Sequence, residues 1–191
     1  MTGCKEEVLP TETIYWEPDG QGYLQFYTND PDYLETICFY RVPGSYEDLV
    51  MNIDIDVKKV SGNKFVPSGF VYKCSPDYQS FTGIVFDTTG YCSTQFSRFN
   101  GEWQGLAWHQ ESTLNTGLGE VNNIKIVRHG DPDDHWFDFI FNDKSHIAVE
   151  STKYGPGDCA FVVFIGSSDD EDFPNKPVDV RFRMRKPVVA P

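Results

Sequence analysis

Apolar residues recur at every second position along much of this chain, and a period of two is the mark of β-strands with one buried face. In EDLVMNIDIDVKK (47–59), Leu49, Met51, Ile53, Ile55 and Val57 alternate with Asp48, Asn52, Asp54, Asp56 and Lys58, with Val50 as the one exception. VDVRFRMRK (178–186) repeats the device, with Val178, Val180, Phe182 and Met184 on one side and Asp179, Arg181, Arg183 and Arg185 on the other. Further short strands are predicted at 22–28, 36–42, 69–74, 81–87, 90–98, 103–110, 122–129, 135–142 and 158–165, each bounded by Gly, Pro, Asn or Asp.

Turn chemistry supports these boundaries. DTTG (87–90) links two strands, and Asn100-Gly101 suits a tight type I′ hairpin turn. RHGDPDDHW and VESTKYGPGD read as longer loops. CAFVVFIG (159–166) is apolar without alternation, as expected of a strand covered on both faces. No window of helical length carries a sustained 3.6-residue stripe, so the prediction is an all-β chain folded as two packed antiparallel sheets. Residues 13–185 read as a single domain, with 1–12 as an N-terminal tether and 186–191 as a tail.

The 191 residues allow a substantial core. Sixteen Lys and Arg against 29 Asp and Glu give a net charge of −13, which argues against a nucleic-acid partner or an anionic lipid surface. No apolar run reaches the length of a membrane helix. Thr2-Gly3-Cys4, before a polar acidic stretch, resembles the end of a bacterial lipoprotein signal, which implies lipidation at Cys4, an extracytoplasmic place in the cell envelope and membrane contact through that anchor only. The alternative is a cytoplasmic protein with a chance Gly-Cys. Cys38, Cys74, Cys92 and Cys159 sit in apolar runs and read as mostly buried thiols, with at most one disulfide whose pairing the sequence leaves open.

The run from FTGIVFDTTGYCSTQFSRFNGEWQGLAWHQES through NNIKIV, FDFIFNDK and GDCAFVVFIG to VDVRFRMR resembles the concanavalin A-like, laminin-G-like jelly rolls of bacterial secreted proteins. It is nearest to the group that includes the domain of unknown function 1080, the 3-keto-disaccharide hydrolase-like proteins. Asn122, Ile124 and Ile126 match that group's Asn-x-apolar-x-apolar strand, and Phe141, Asn142 and Asp143 match in part its aromatic-x-Asn-Gly ending. The resemblance implies a jelly-roll sandwich and a sugar-related role.

Candidate chemistry narrows the role. A retaining glucanase needs two carboxylates on one strand facing one cleft, and no Glu-x-Asp-x-x-Glu motif is present. Asp54 and Asp56 share a face but read as solvated. Zinc motifs, a Gly-x-Ser-x-Gly elbow and a phosphate-binding glycine loop are absent from the sequence. Calcium is the metal these residues suit, with Asp131, Asp133 and Asp134 as ligand candidates, and Asp169, Asp170, Glu171 and Asp172 as a second acidic run.

Sugar binding needs exposed rings with polar groups beside them. Alternation puts Trp108 inward with Leu106 and leaves Trp103 and His109 outward, Trp136 opposite Phe137 and Phe139, and Tyr91, Ser93, Gln95 and Ser97 on one polar face. Tyr91, Ser93, Gln95, Trp103, His109 and Trp136 are therefore the ligand candidates. The expectation is a non-catalytic carbohydrate-binding or adhesion domain of an envelope lipoprotein. Its alternatives are a sugar-processing hydrolase and a purely structural module that contacts an envelope protein.

Overall fold

The structure, a computed structural model, describes residues 16–42, 52–131, 134–150, 157–166 and 175–186. Cys4, Leu49, Asp133 and the acidic run at 169–172 lie outside the described residues. One sheet contains β1 (Trp16–Pro18), β2 (Leu24–Thr28), β4 (Asn52–Ser61), β10 (Val121–Asp131), β11 (Asp134–Phe141), β12 (Ser145–Glu150) and β14 (Val178–Lys186). The other contains β3 (Thr36–Arg41), β5 (Ser68–Cys74), β6 (Phe81–Phe86), β7 (Tyr91–Phe99), β8 (Glu102–Gly105), β9 (His109–Gln110) and β13 (Asp158–Ile165). Their orders are β1-β2-β14-β4-β10-β11-β12 and β3-β13-β5-β6-β7-β8, with β9 also pairing with β7, and every pairing is antiparallel. A single 3-10 turn at Pro31–Tyr33 is the helical content among the described residues. The chain is an all-β, two-sheet jelly-roll sandwich.

The period of two becomes rows across the first sheet. Ile53 pairs with Ile126, and Ile126 with Phe139; Ile55 pairs with Ile124, and Ile124 with Phe141. All six are fully buried, facing Phe70, Tyr72, Ile84, Phe86, Phe161 and Val163 of the second sheet. A strand slipped by one residue would turn such a row to solvent, so the alternation also fixes register. The predicted turn holds: Asn100 and Gly101 have φ of 48° and 81°, the pair of positive values that a type I′ turn requires. Where the aromatic-x-Asn-Gly pattern has lost its glycine, Asn142 and Asp143 still adopt φ of 51° and 59°. These are two residue types that tolerate this region.

The predicted long loop at RHGDPDDHW is shorter than expected. β10 runs to Asp131 and β11 starts at Asp134, with those two residues paired across the strand ends. β12 also extends the first sheet, a strand that the sequence pattern did not predict and that overlaps the loop expected from residue 149 by its last two residues. The outer face of this sheet is polar, but Asp54 and Asp56 are not solvated as expected: they are 6% and 0% exposed. Asp56 accepts from Arg183 at 2.6 and 3.1 Å, from Arg185 at 2.7 Å and from Asn123 at 3.2 Å, while Asn123 also donates to Asp54 at 2.6 Å. Arg183 lies 4.5 Å over the Tyr23 ring, which covers the pair further.

Burial alone would raise the pKa of Asp56, but the bonds from Arg185, Arg183 and Asn123 together hold it below the usual carboxylate value. Asp19, Asp77, Glu111 and Asp143 are lowered too. A carboxyl whose folded pKa lies below its unfolded value, about 3.9 for Asp, stabilises the fold above that pH. It loses the contribution as pH falls through the folded value. The melting temperature is therefore expected to hold from pH 7 to 5 and to fall below about pH 4. Asp56→Asn should cost about 2 kcal/mol at pH 7 and flatten the acid limb, as melts at a series of pH values would read.

The outer face of the second sheet is apolar. Ile37, Phe39, Val71, Phe81, Val85, Phe96, Ala160 and Val162 form a second buried cluster there, so β13 is covered on both faces, as its unbroken apolar run predicted. Ring geometry shows how this face is shaped. Phe164 of β13 and Trp103 of β8 have β5, β6 and β7 between them, about 19 Å in a flat sheet. Their ring centroids are 6.1 Å apart. Phe39 of β3 and Phe81 of β6, about 14 Å apart if flat, have centroids at 5.3 Å. The sheet must curl toward this side, which makes the face concave.

Cys38, Cys74, Cys92 and Cys159 are free and buried. Cys74 belongs to the outer cluster, and the other three belong to the core between the sheets. Cys92 on β7 is three strands from Cys159 on β13, roughly 14 Å. Cys38 pairs with Val163, four residues along β13 from Cys159, roughly 13 Å. A disulfide needs Cα atoms within about 7 Å, which excludes both of these pairs, while Cys74, the cross-strand partner of Asp158, adjoins Cys159 but belongs to the cluster on the opposite face of the sheet.

Candidate functional site

The edge of the concave sheet is built by β7 and the two short strands that flank it. β8 pairs with the end of β7, placing Trp103 opposite Arg98 and Gly105 opposite Ser97. β9 pairs with its beginning, placing Gln110 opposite Tyr91 and His109 opposite Cys92. Between them, residues 106–108 leave the sheet, and the middle of β7 has no strand partner on that side among the described residues. The single strand expected at 103–110 is therefore two. Alternation cannot be carried across the break, and the expectation that Trp108 packs inward fails: Trp108 and Leu106 are both 38% exposed.

A bulge changes β7 as well. Gly83 pairs with Phe96 and Val85 with Ser93, so two residues of β7, Thr94 and Gln95, stand against Ile84. Upstream of the bulge, Tyr91 and Ser93 share the concave face; downstream, that face passes to Phe96 and Arg98. The predicted row of Tyr91, Ser93, Gln95 and Ser97 is thus broken. Gln95 is exposed at the bulge, while Ser97 is buried opposite Thr82.

The concave edge gathers four of the six sequence candidates. Tyr91 and Trp103 are each 43% exposed. The Trp103 indole is packed 5.3 Å from Phe96 and 5.9 Å from Phe81, and Arg98 lies 5.9 Å over its ring while donating to the Gly101 carbonyl at 2.7 Å. Ser93 is fully buried, and its Oγ has no hydrogen-bond partner among the described residues. An unmade bond at such a hydroxyl costs about 1–3 kcal/mol, a cost that a ligand oxygen would remove. Trp108, expected in the core, is exposed in the segment between β8 and β9, one residue before the His109 that pairs with Cys92, which puts it near the Tyr91 end of β7.

His109 and Trp136 are not part of this group. His109 faces inward with Cys92, its Nε2 3.1 Å from the Cys92 Sγ. A thiol beside an imidazole is the arrangement of a cysteine nucleophile. Here burial, with help from Glu111 and Asp87, pushes the thiol up to about 12, so almost no thiolate is present at neutral pH. Glu111 is itself occupied, accepting from Thr113 at 2.7 and 2.8 Å and from Ser145 at 2.7 Å. The contact is structural.

Trp136 stands on the outer face of the other sheet, 44% exposed and stacked on His129 at 5.5 Å. His129 Nε2 lies 2.9 Å from Asp138 Oδ2. One indole face is thereby already covered. Among the described residues no group of three or more His, Cys, Asp and Glu is placed to hold a metal. Of the calcium candidates, Asp133 lies outside the described residues, and only the backbone of Asp131 and Asp134 is described.

Comparison with solved structures agrees on the fold. The chain is similar to carbohydrate binding module CBM66 from Bacillus subtilis, with a TM-score of 0.64 and 14% identity over 88% of this chain and 87% of that one. It is also similar to an alginate lyase of polysaccharide lyase family 7, with a TM-score of 0.50 and 14% identity over 90% of this chain and 80% of that one. At such identities the likeness is one of fold. No family model matches the sequence, and no curated protein matches it significantly.

Proposed function

We propose that this chain is a non-catalytic carbohydrate-binding domain whose site is the concave β7 edge. The observation that carries the reading is the buried, unpartnered Ser93 hydroxyl on the same face as the exposed Tyr91 ring, with the exposed Trp108 in the segment beside that end of β7. Rings to stack on sugar C–H faces, with a hydroxyl and the Gln95 amide for sugar oxygens, are the groups that such recognition uses. A jelly-roll relative that is a carbohydrate-binding module supports it, as a likeness of fold. The proposal includes an envelope location through lipid at Cys4, which mass spectrometry of the native protein would read.

The hydrolase alternative, of the 3-keto-disaccharide hydrolase-like type, is less well supported. It lacks a facing carboxylate pair among the described residues of this edge, and the Cys92 thiol is held protonated. A panel of immobilised linear glucans, xylans, mannans, fructans and alginate, scored for retention and for new reducing ends, tests the reading. Retention on at least one glycan without new ends is expected. New ends would favour the hydrolase, and no retention on any glycan would favour a structural envelope module.

A further inference from the structure

The site described above has a length and a charge, and both restrict what fits it. Trp103 is paired with Arg98, seven positions along β7 from Tyr91, so the two exposed rings are separated by roughly 20 Å of strand. That is several sugar rings. A pocket for a single terminal sugar would place its aromatic groups around one point.

The charge is as distinctive. Tyr91–Ser97 of β7 (YCSTQFS) and the segment Gln104–Gln110 beside it (QGLAWHQ) contain no Asp, Glu, Lys or Arg. Tyr91, Gln95, Gln104, Leu106, Ala107, Trp108 and Gln110 are the exposed residues among them, so the surface along this edge is uncharged in a chain that is 24% charged. Arg98, at the margin, is turned to the Trp103 ring and the Gly101 carbonyl. With a net charge of −13 on the whole chain, nothing along the strand would draw in an anionic polymer.

We propose that the β7 edge binds a linear, uncharged polysaccharide, laid along the strand from Tyr91 and Trp108 to Trp103 with the Ser93 hydroxyl bonded to a sugar oxygen near the Tyr91 end. This rests on the carbohydrate-binding reading and narrows it to a substrate class. Uncharged hydroxyls match the uncharged lining, and a chain of several units lets both aromatic ends be occupied at once.

Calorimetric titration of the full chain with cello-, manno- and fructo-oligosaccharides of one to six units, and with alginate oligosaccharides of the same lengths, tests it. One neutral series should bind, with affinity rising about tenfold or more from two units to five. The alginate series should bind more weakly at every length. Ser93→Ala should lower affinity for the pentamer about tenfold while leaving the melting temperature unchanged or higher, since it deletes a buried hydroxyl that lacks a partner. Affinity independent of length, a preference for the alginate series, or a Ser93→Ala variant that binds as the parent does would each overturn the proposal while leaving carbohydrate binding in place. Silence in every series overturns both.

Discussion

Gly69→Ala should lower stability by about 3 kcal/mol, a fall of roughly 6–12 °C in melting temperature for a chain of this size. A Cβ on Gly69 would stand 2.0 Å from the Ile84 carbonyl oxygen and 2.9 Å from the Val85 Cα, both backbone atoms that cannot swing aside. Gly83, across the same pair of strands, is equally tight, its Cβ position 2.5 Å from the Phe70 carbonyl oxygen. These two glycines let β5 and β6 close up in the middle of the curled sheet, on the face that holds Phe39, Phe81 and Phe96. Because the curl also brings Trp103 against Phe164, the variant should lose near-ultraviolet circular dichroism from its aromatic residues along with stability. A melting temperature equal to the parent's would mean that the strands are not pinched there.

Tyr91→Ala and Trp108→Ala should each weaken glycan binding about tenfold, with the melting temperature held within a degree or two, and the double variant should bind too weakly to measure. Both rings are exposed and neither belongs to either buried cluster, so their loss leaves the packing intact. Trp103 calls for a gentler change, because its ring also packs on Phe81, Phe96 and Phe164. Trp103→Phe keeps that packing and trims the exposed face. Trp136→Ala, on the opposite sheet, should leave affinity unchanged.

How much of this was legible beforehand differs from strand to strand. The apolar faces of β4 and β14 could be read from the sequence, because one face of each is buried and the period of two marks it, although the two register shifts between these strands, at Asp179/Val180 and Met184/Lys186, have no sign in that period. What sits across from a polar residue is not written in that period. Asp56 alternates with Ile55 and Val57 as an exposed aspartate would. Its burial comes from Arg183 and Arg185, which reach it only because β14 lies beside β4 in the sheet.

The candidate site was legible in its residue types but not in its faces. Tyr91, Ser93, Gln95 and Trp103 were chosen for chemistry and do gather at one edge. The alternation used to sort them fails at two places. The bulge at Thr94 and Gln95 is a mismatch of register with β6, for which YCSTQFS carries no signal. The break at 106–108 reflects where β8 and β9 each find β7, and Gly105, whose Cβ would press on the Gln95 carbonyl at 2.9 Å, is the one local sign of it. Trp108 moved from core to candidate ligand contact for that reason.

The most direct measurement uses the four tryptophans. In nitrogen-15 correlation spectra, the indole N–H signals are followed while each neutral pentasaccharide of the titration panel is added. The account predicts that Trp103 and Trp108 shift together with one of the sugars and that Trp136 stays still. A sugar that moves Trp136 alone, or no movement of any indole with any pentasaccharide, would contradict it.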